Sequence, residues 1–524
     1  MDPKALPVPI LFSFLTIFLF SFLLIIRRWT QKRRSKPSPP PGPWRLPIIG
    51  HIHHLAGRGS TLPHRRLRDL AQTHGPVMLL QLGEISHVVI SSADAAKQVF
   101  KTHDVVFAQR PFNLAAKIIT YDRADIAHAA YGDFWRQLRK LCTLELLSPK
   151  RVQSFRPIRE EEGSKFVRRI AAAGSGVPVN LSRLIFSLTY GVTSRIAFGT
   201  VREEEQDDEY IPVVEEIMAA AAGFGVADLF PSLKWLERVS GMKAKLERLH
   251  GVQDKLLEKI IAEHRVRRST AGENRGTEQS VEAAAEDLVD ALLNLQRDGD
   301  HLGFSLTNDN IKAVIGDVFI AGSETSSTTV EWVISELIRN PTVMKKAQEE
   351  VRRVFGEKGR VDEAGLNELS YLKLVIKETL RLHTPAPLLV PRESREECEV
   401  GGYQIPVKAT VLVNAWAIAR DPNTWDEPEE FRPERFLDGM VDYKGTNFEY
   451  LPFGAGRRMC PGIVFGIANT ELPLANMLFY FDWKLPSGLK VERLDMEESF
   501  GVTVRRKNDL EVIPIICHSP PTIS

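Results

Sequence analysis

The chain is poor in cysteine and carries no charge excess. Four of its 524 residues are cysteine, and no two of them form a CxxC pair. This excludes a disulfide scaffold or a four-cysteine zinc ribbon and fits a reducing compartment. Lys plus Arg number 68 against 67 Asp plus Glu. Because nucleic-acid-binding proteins usually show a basic excess, no nucleic acid is expected as a partner.

Repeats are also lacking, which excludes a repeat protein. Apart from a proline cluster near the start, the one low-complexity stretch is the polar segment Ser269 to Ser280, which predicts a surface loop. Apolar residues make up 43% of the chain and charged residues 26%, as in ordinary globular proteins. No composition break divides residues 51–524. The length therefore predicts one large enzyme with an ample core.

Charge is absent from the segment Ala5 to Ile26, whose 22 residues are almost wholly apolar. As a helix it would span about 33 Å, against a hydrocarbon core of about 30 Å. A cleaved signal peptide would have a shorter apolar region and a small-residue cleavage site. Arg27, Arg28 and further basic residues follow instead, which predicts an uncleaved anchor with a cytosolic body.

A proline cluster at residues 37–43 follows the basic residues and predicts a stiff, extended strut. The predicted organisation is a membrane anchor at 1–26, a basic and proline-rich hinge at 27–50, and one folded body at 51–524.

The sequence pattern of the body predicts a mainly helical structure with a minor β-sheet, an α+β fold. Alternation from Val77 to Ile90 predicts a hairpin with its turn at Gly83. Short β signals return near Glu399 to Ile405 and Thr410 to Asn414. The longest helical pattern runs from about Thr307, with Asn308 and Asp309 as capping candidates, to Asn340. Further helices are predicted at Ser92 to His103, Tyr131 to Leu147, Glu160 to Ala173 and Lys243 to Arg268.

The strongest chemical signal is a cysteine in a glycine-rich loop, Phe453 to Gly462, which precedes a helical pattern. Backbone N–H groups and a helix N-terminus favour a thiolate at Cys460. One thiolate cannot form a closed zinc site, but it suffices as the axial ligand of haem. A buried structural cysteine is the alternative, and it leaves the glycines and Arg458 unexplained.

This segment resembles the FxxGxRxCxG signature of the cytochrome P-450 monooxygenases at Phe453, Gly456, Arg458, Cys460 and Gly462. The resemblance covers essentially the whole chain and is greatest to plant microsomal members of the clan numbered seventy-one. It implies the P-450 fold and haem b with iron on Cys460. It also implies dioxygen, NADPH-cytochrome P-450 reductase as partner, and the endoplasmic reticulum membrane.

Glycine interrupts the middle of the long helix at Gly322, where it costs about 1 kcal/mol relative to alanine. We interpret it as a place where a planar cofactor or ligand approaches the backbone. The neighbouring Glu324 and Thr325 match, by the resemblance, the acid and threonine that deliver protons to iron-bound dioxygen. Thr325 could also bond back to the Ala321 carbonyl.

Three charged residues match a structural network of the family. Glu378 and Arg381 form an ExxR pair on one helical face, which in isolation is typical of a surface ion pair. Arg435 lies in a PERF segment. The resemblance implies that the three form a buried network that braces the loop of Cys460.

A set of cations is expected around the haem propionates, because the planar guanidinium fork suits carboxylates. Trp135 and Arg139 match WxxxR and share a helical face. By the resemblance, Arg392 and Arg458 occupy two further propionate-binding positions, and Phe453 belongs to the cofactor site.

The resemblance places substrate contacts in three regions, and the candidates there are mostly apolar. They are Ile118, Phe224, Asp317, Ala321, Leu388 and Val502. Such a lining favours a compact hydrophobic molecule held by shape. Asp317 shares a face with Ala321 and Thr325 and could pair with a protonated amine.

The sequence therefore predicts a membrane-anchored haem-thiolate monooxygenase that oxidises a hydrophobic specialised metabolite, with a terpenoid favoured. The alternatives are an alkaloid or phenolic oxidase of the same family, a peroxide-rearranging isomerase or lyase, and a non-catalytic haem or ligand carrier. Thr325 speaks against the last two, because neither needs a proton relay.

Overall fold

The computed structural model describes most of the body of the chain. The described residues are 38–55, 62–174, 176–199, 204–221, 225–233, 235–273, 286–297, 305–486, 490–499 and 501–522. The predicted anchor at 1–26 and the basic part of the hinge lie outside them. Within these ranges, every helix is too short or too polar to cross a bilayer.

Helices account for most of the described residues. In chain order they are α1 (Ile52–Leu55), α2 (Pro63–His74), α3 (Ala93–Lys97), α4 (Leu114–Ile119), α5 (Asp133–Leu141), α6 (Pro149–Ser154), α7 (Arg156–Ala172), α8 (Leu181–Phe198), α9 (Glu204–Ala220), α10 (Val226–Leu229), α11 (Trp235–Val239), α12 (Met242–Glu273), α13 (Leu288–Arg297), α14 (Asn308–Arg339), α15 (Pro341–Phe355), α16 (Ser370–Leu382), α17 (Ala415–Ile418) and α18 (Ile463–Tyr480). Helices α3 and α5 each continue into a π-helical turn, at Gln98–Thr102 and Cys142–Leu146.

The strands are short and lie beside the helices. They are β1 (Val77–Leu82), β2 (Ile85–Ile90), β3 (Val179–Asn180), β4 (Arg392–Glu393), β5 (Cys398–Val400), β6 (Tyr403–Ile405), β7 (Thr410–Val413), β8 (Phe481–Lys484), β9 (Glu498–Ser499), β10 (Arg505–Arg506) and β11 (Glu511–Ile516). The largest sheet has the order β1-β2-β7-β4, in which β2 and β7 are parallel. The α+β prediction is confirmed.

The predicted hairpin forms, with Val77 opposite Ile90 and Leu82 opposite Ile85. Its turn uses Gly83, whose φ of +58° lies in the left-handed region that favours glycine. Both faces of the hairpin are buried: Val88 and Ile90 pack in one apolar cluster, and Met78, Leu80 and Val89 pack in another.

Helix α14 crosses the centre of the body and is buried along nearly its whole length. It begins one residue later than predicted, because Thr307 itself is the N-cap. The Thr307 hydroxyl accepts the Asn310 N–H at 3.2 Å, and the Asn310 side chain accepts the Thr307 N–H at 3.0 Å. This reciprocal capping box replaces the predicted capping by Asn308 or Asp309. Helices α8 and α18 pack against α14 in the main apolar core.

Candidate active site

A cavity of about 300 Å³ lies between the middle of α14, the N-terminal end of α18 and the loop before it. Eight of the sequence-predicted site residues meet there. Those that line it are Arg139, Asp317, Ala321, Thr325, Arg392, Phe453, Arg458 and Cys460. Residues far apart in the chain are thus brought to one enclosed space.

The glycine-rich loop holds Cys460 at the cavity wall. The Cys460 N–H donates to the Phe453 carbonyl at 3.0 Å, which closes the loop. Gly456 has φ of +68°, and a Cβ there would lie 2.6 Å from the Phe100 carbonyl oxygen. Only glycine fits this conformation and this close approach. The loop is therefore shaped to present the Cys460 thiol to the cavity.

Cys142 is a second cysteine of the cavity wall, and electrostatics distinguish the two. Burial and the nearby Asp317 raise the pKa of Cys142 to about 12. Burial also raises the pKa of Cys460, but the Gly462 N–H and the Arg139 cation oppose it. Because metals bind the thiolate, Cys460 is the better ligand.

Four arginines face one side of the cavity: Arg110, Arg139, Arg392 and Arg458. Arg458 donates to the carbonyls of Ala108 and Ala129 at 2.8 and 2.6 Å. Arg392 donates to the Ala455 carbonyl at 2.7 Å, and Arg139 to the Met459 carbonyl. Backbone oxygens thus hold the guanidinium groups in place without neutralising their charge.

Arg110 was missed by the sequence reasoning. It donates to the carbonyls of Ala127, Val390 and Pro391 at 2.7–2.8 Å and is nearly fully buried. It stands in the irregular segment between the π-helical turn after α3 and the start of α4, where no periodicity separates a buried arginine from a solvated one.

The arginine cluster is short of negative charge. Burial, and next the Arg392 cation, lower the pKa of Arg458 to about 9. Burial and then the cations of Arg458 and Arg392 lower the pKa of Arg110 well below its ordinary value. Burial lowers the pKa of Arg392 to about 10 despite its contact with Asp104. Buried cations need anionic partners, so this side of the cavity fits the two carboxylates of a haem.

Trp135 packs against Arg458 of the arginine cluster and does not line the cavity. Its indole N–H donates to the Ile126 carbonyl at 3.0 Å, and the Arg458 guanidinium lies 4.0 Å from its ring centroid. The ring therefore orients Arg458 by a cation–π contact. Trp135 acts on the cofactor site through Arg458.

Thr325 and Glu324 face different surroundings. The Thr325 hydroxyl lies at the cavity and donates to the Ala321 carbonyl at 2.7 Å. Glu324 is buried away from the cavity, and its Oε1 accepts the Thr503 hydroxyl at 3.0 Å. Burial raises the pKa of Glu324. A buried acid with a raised pKa can hold a proton for delivery.

Gly322 lines the cavity, as the predicted approach of a cofactor or ligand requires, and it also has a packing role. A Cβ at this position would lie 2.9 Å from the Phe465 ring and 3.3 Å from the Thr193 methyl group. The missing side chain therefore allows α14 to pack closely between α18 and α8. Close helix packing is therefore a second reason for glycine at this position.

Asp317 lines the cavity, but its carboxylate already has partners. Its Oδ2 accepts the backbone N–H groups of Ile126 and Ala127 at 3.0 and 3.1 Å. Burial and the neighbouring Asp125 carboxylate raise its pKa well above the ordinary value. These contacts favour a structural role, in which Asp317 fixes the segment before α5, over pairing with an amine.

The other predicted substrate contacts lie elsewhere. Ile118 packs on the edge of the main core, and Leu388 packs against the apolar cluster under α2. Val502 lies in the loop between β9 and β10 and outside the cavity lining. Phe224 lies outside the described residues. Leu389, the neighbour of Leu388, lines the cavity instead.

Glu378, Arg381 and Arg435 form one buried network. Arg381 donates to both carboxylate oxygens of Glu378, at 2.8 and 2.9 Å, and Arg435 donates to Oε1 at 2.9 Å. Arg381 also holds the carbonyls of Ala419 and Pro428 at 2.7 Å. The network does not reach the cavity and serves to fasten the segment that precedes the Cys460 loop.

Comparison with known proteins agrees with this geometry. The cytochrome P450 family profile matches residues 39–511. The chain is 53% identical over 500 residues to cytochrome P450 71D11 of Lotus japonicus, covering 95% of this chain and 99% of that protein. It is 51% identical over 503 residues to premnaspirodiene oxygenase of Hyoscyamus muticus, covering 96% and 98%. Tabersonine 16-hydroxylase 1 of Catharanthus roseus is 50% identical over 509 residues, covering 96% and 97%.

A solved structure shares the fold. A zebrafish cytochrome P450 with abiraterone superposes with a TM-score of 0.72 at 26% identity, covering 87% of this chain and 99% of that one. The fold and family imply a haem-thiolate iron, and the cysteine loop, the arginine cluster and the cavity fit that group. The chain belongs to the cytochrome P450 family and is an oxidoreductase of the monooxygenase type.

Proposed function

We propose that this protein is a membrane-anchored monooxygenase of the endoplasmic reticulum that inserts one oxygen atom of dioxygen into a hydrophobic specialised metabolite, most favourably a terpenoid. NADPH supplies the electrons through NADPH-cytochrome P-450 reductase. The observation that carries this proposal is the enclosed cavity in which Cys460, the arginine cluster and Thr325 meet.

The residues of the cavity have separate roles in this reaction. When bound, the haem supplies the oxygen-activating iron, and thiolate ligation favours O–O cleavage. Cys460 is the proposed ligand, and Arg110, Arg139, Arg392 and Arg458 hold the propionates. Thr325 can exchange its bond with the Ala321 carbonyl for one to water and so hold a proton near the reacting oxygen. A peroxide-rearranging enzyme or a carrier has no use for this arrangement.

The apolar part of the cavity supports a hydrocarbon-like substrate. Ile126, Val318, Ala321, Leu389 and Phe465 are among its lining residues. Asp317 is the carboxylate among the described residues that line it, and two backbone N–H groups already occupy one of its oxygens. Such a site favours a molecule held by shape. The relative named for oxygenating premnaspirodiene agrees with this choice.

An alkaloid is the second candidate substrate, because another relative is named for hydroxylating tabersonine. Recognition of its protonated amine would require a charged Asp317, whereas burial and the Asp125 carboxylate raise the pKa of that group. A terpenoid therefore leaves Asp317 in its structural role, whereas an alkaloid would need its carboxylate as an ionic partner.

Membrane attachment is supported by exposed apolar side chains in two segments, near residues 44–48 and 235–239, which are together called the exposed patch. Ile48 is 83% exposed and Val239 73% exposed, and Trp44 and Trp235 are also largely exposed. The hairpin turn joins the two halves of this patch, because Gly83 donates to the Ile49 carbonyl and Glu84 to the Leu229 carbonyl, at 3.3 and 2.8 Å. An apolar patch beside a predicted anchor fits a bilayer surface.

Binding titrations test the substrate class. Microsomes that carry the protein and a reductase are titrated with a terpenoid panel that includes premnaspirodiene, and with an alkaloid panel that includes tabersonine. We expect haem spectral shifts and NADPH-dependent products with terpenoids. Shifts with the amines alone, abolished by Asp317→Asn, would replace the terpenoid proposal by the alkaloid one.

A further inference from the structure

The C-terminal hairpin of β9 and β10 is fastened to α14 at three points, through Glu324, Trp332 and Ser335. The Thr503 hydroxyl donates to Glu324 at 3.0 Å, and the indole N–H of Trp332 donates to the Val504 carbonyl at 3.1 Å. The Val504 N–H in turn donates to the carbonyl of Pro385 at 2.8 Å, and Pro385 lines the cavity. The hairpin thus reaches the acid beside Thr325 from outside the cavity.

The two oxygens of the Glu324 carboxyl have different surroundings. Oε1 accepts the Thr503 hydroxyl, whereas Oε2 is buried and has no hydrogen-bond partner among the described residues. Glu324 and Thr503 are each at least nine-tenths buried. An unpaired carboxyl oxygen in such a place is costly unless it carries or exchanges a proton.

A half-exposed ion pair links this acid to solvent. Arg505 on β10 donates to Glu215 on α9 at 2.6 Å, and both side chains remain about 40% exposed. Arg505 and Glu215 are the charged groups that act on Glu324, and they do so in opposite senses: the Arg505 cation lowers its pKa and the Glu215 anion raises it. The ion pair is therefore exposed to solvent and also near enough to Glu324 to act on its pKa.

We propose that Thr503 is a positioning residue for proton delivery: it holds Oε1 of Glu324 and leaves Oε2 to pass a proton toward Thr325. In each cycle the Glu324 carboxylic acid gives one proton to the cavity and regains one from solvent on the side of Arg505 and Glu215. The inference rests on the oxygen-activating role proposed above for Thr325 and Glu324.

Infrared spectroscopy of the haem-loaded protein tests the positioning without any substrate. The carboxylic C=O stretching band of Glu324 is identified as the band that Glu324→Gln removes, and its pH titration is followed. Thr503→Val should shift the band and raise its titration midpoint by about one pH unit, because a hydrogen bond that stabilises the charged form is lost. Thr503→Ser should restore both. Thr189→Val, which removes another buried hydroxyl, should change neither.

The pH profile of NADPH consumption with reductase, measured without added substrate, tests the relay itself. Glu324 must be protonated to act. The alkaline limb of the pH profile should therefore move to higher pH in Thr503→Val, by the same amount as the infrared titration midpoint. Arg505→Gln should also move it upward while leaving the infrared frequency in place. This surface variant serves if Thr503→Val does not fold.

Each result of these two experiments supports or overturns the role proposed for Thr503. An unchanged band in Thr503→Val overturns the positioning role. Suppose that Thr503→Val shifts the infrared band, but that neither Thr503→Val nor Arg505→Gln moves the alkaline limb of the pH profile. The hydrogen bond between Thr503 and Glu324 then only fastens the hairpin to α14, and the relay is overturned. A wrong substrate class alters neither readout, whereas a failure of the monooxygenase role would appear as NADPH consumption that Cys460→Ala leaves intact.

Discussion

At the scale of single residues, the site depends on backbone groups as much as on side chains. Carbonyls of the segment 126–129 accept hydrogen bonds from Trp135, Arg110 and Arg458. Asp317 holds the N–H groups of the same segment. One short stretch of chain therefore positions part of the cation set, and a side chain that touches it acts on the cofactor indirectly.

Cys460→Ala should abolish thiolate ligation, whereas Cys142→Ser should preserve it. Both cysteines line the cavity, but burial and Asp317 raise the pKa of Cys142 to about 12, which disfavours its thiolate. The carbon monoxide difference spectrum of the reduced protein measures this directly. A thiolate-type peak in Cys460→Ala would show that the ligand has been misassigned.

Arg110→Gln should release haem about tenfold faster than the unmodified protein, since charge-assisted hydrogen bonds contribute about 1.5–3 kcal/mol. Transfer of haem to apomyoglobin measures the rate. Arg136→Gln is the matched control, because Arg136 is an exposed arginine beside Trp135. Equal rates in the two variants would remove Arg110 from the cofactor site.

At the scale of elements, buried ion pairs join segments that are distant in the chain. His64 on α2 and Arg65 both contact Glu498 on β9, at 3.1 and 2.9 Å. Burial opposes ionisation of Glu498, but these partners outweigh it and lower its pKa to about 2. Burial lowers the pKa of His64 despite this contact, so Arg65 is the main counter-charge at neutral pH.

Glu498 should make the free energy of unfolding depend on pH in the acidic range. The group has a depressed pKa, so its contribution is complete above about pH 4.5 and is lost as pH falls toward 2. The contribution is at most about 3 kcal/mol. Urea unfolding at pH 6, 5 and 4 should give a steeper loss of unfolding free energy in the unmodified protein than in Glu498→Gln. Parallel losses would contradict the assignment.

At the scale of the whole molecule, the proposed anchor and the folded body are separate units. The cavity is built from residues between 100 and 470, far along the chain from the apolar segment at 5–26. The exposed patch around Ile48 and Val239 supplies a second proposed contact with lipid. Attachment should therefore have two additive parts.

Removal of residues 1–26 should release part of the protein from microsomal membranes and leave the haem spectrum intact. Adding Trp235→Ser and Val239→Ser should release most of the remainder, because two exposed apolar side chains are lost from the patch. Sedimentation of the membrane fraction and the carbon monoxide spectrum measure the two effects. Loss of haem from a soluble truncated protein would contradict the separation.

The sequence by itself determined the family, the α+β class, the hairpin and the long helix, because these depend on local periodicity and on a motif of closely spaced residues. Tertiary structure alone decided which side chains share the cavity. It brought in Arg110, turned Glu324 toward Thr503, occupied Asp317 with backbone N–H groups and gave Gly322 a second role in helix packing. These features depend on contacts between segments far apart in the chain, and sequence spacing does not specify which single polar group is buried or which partner it meets.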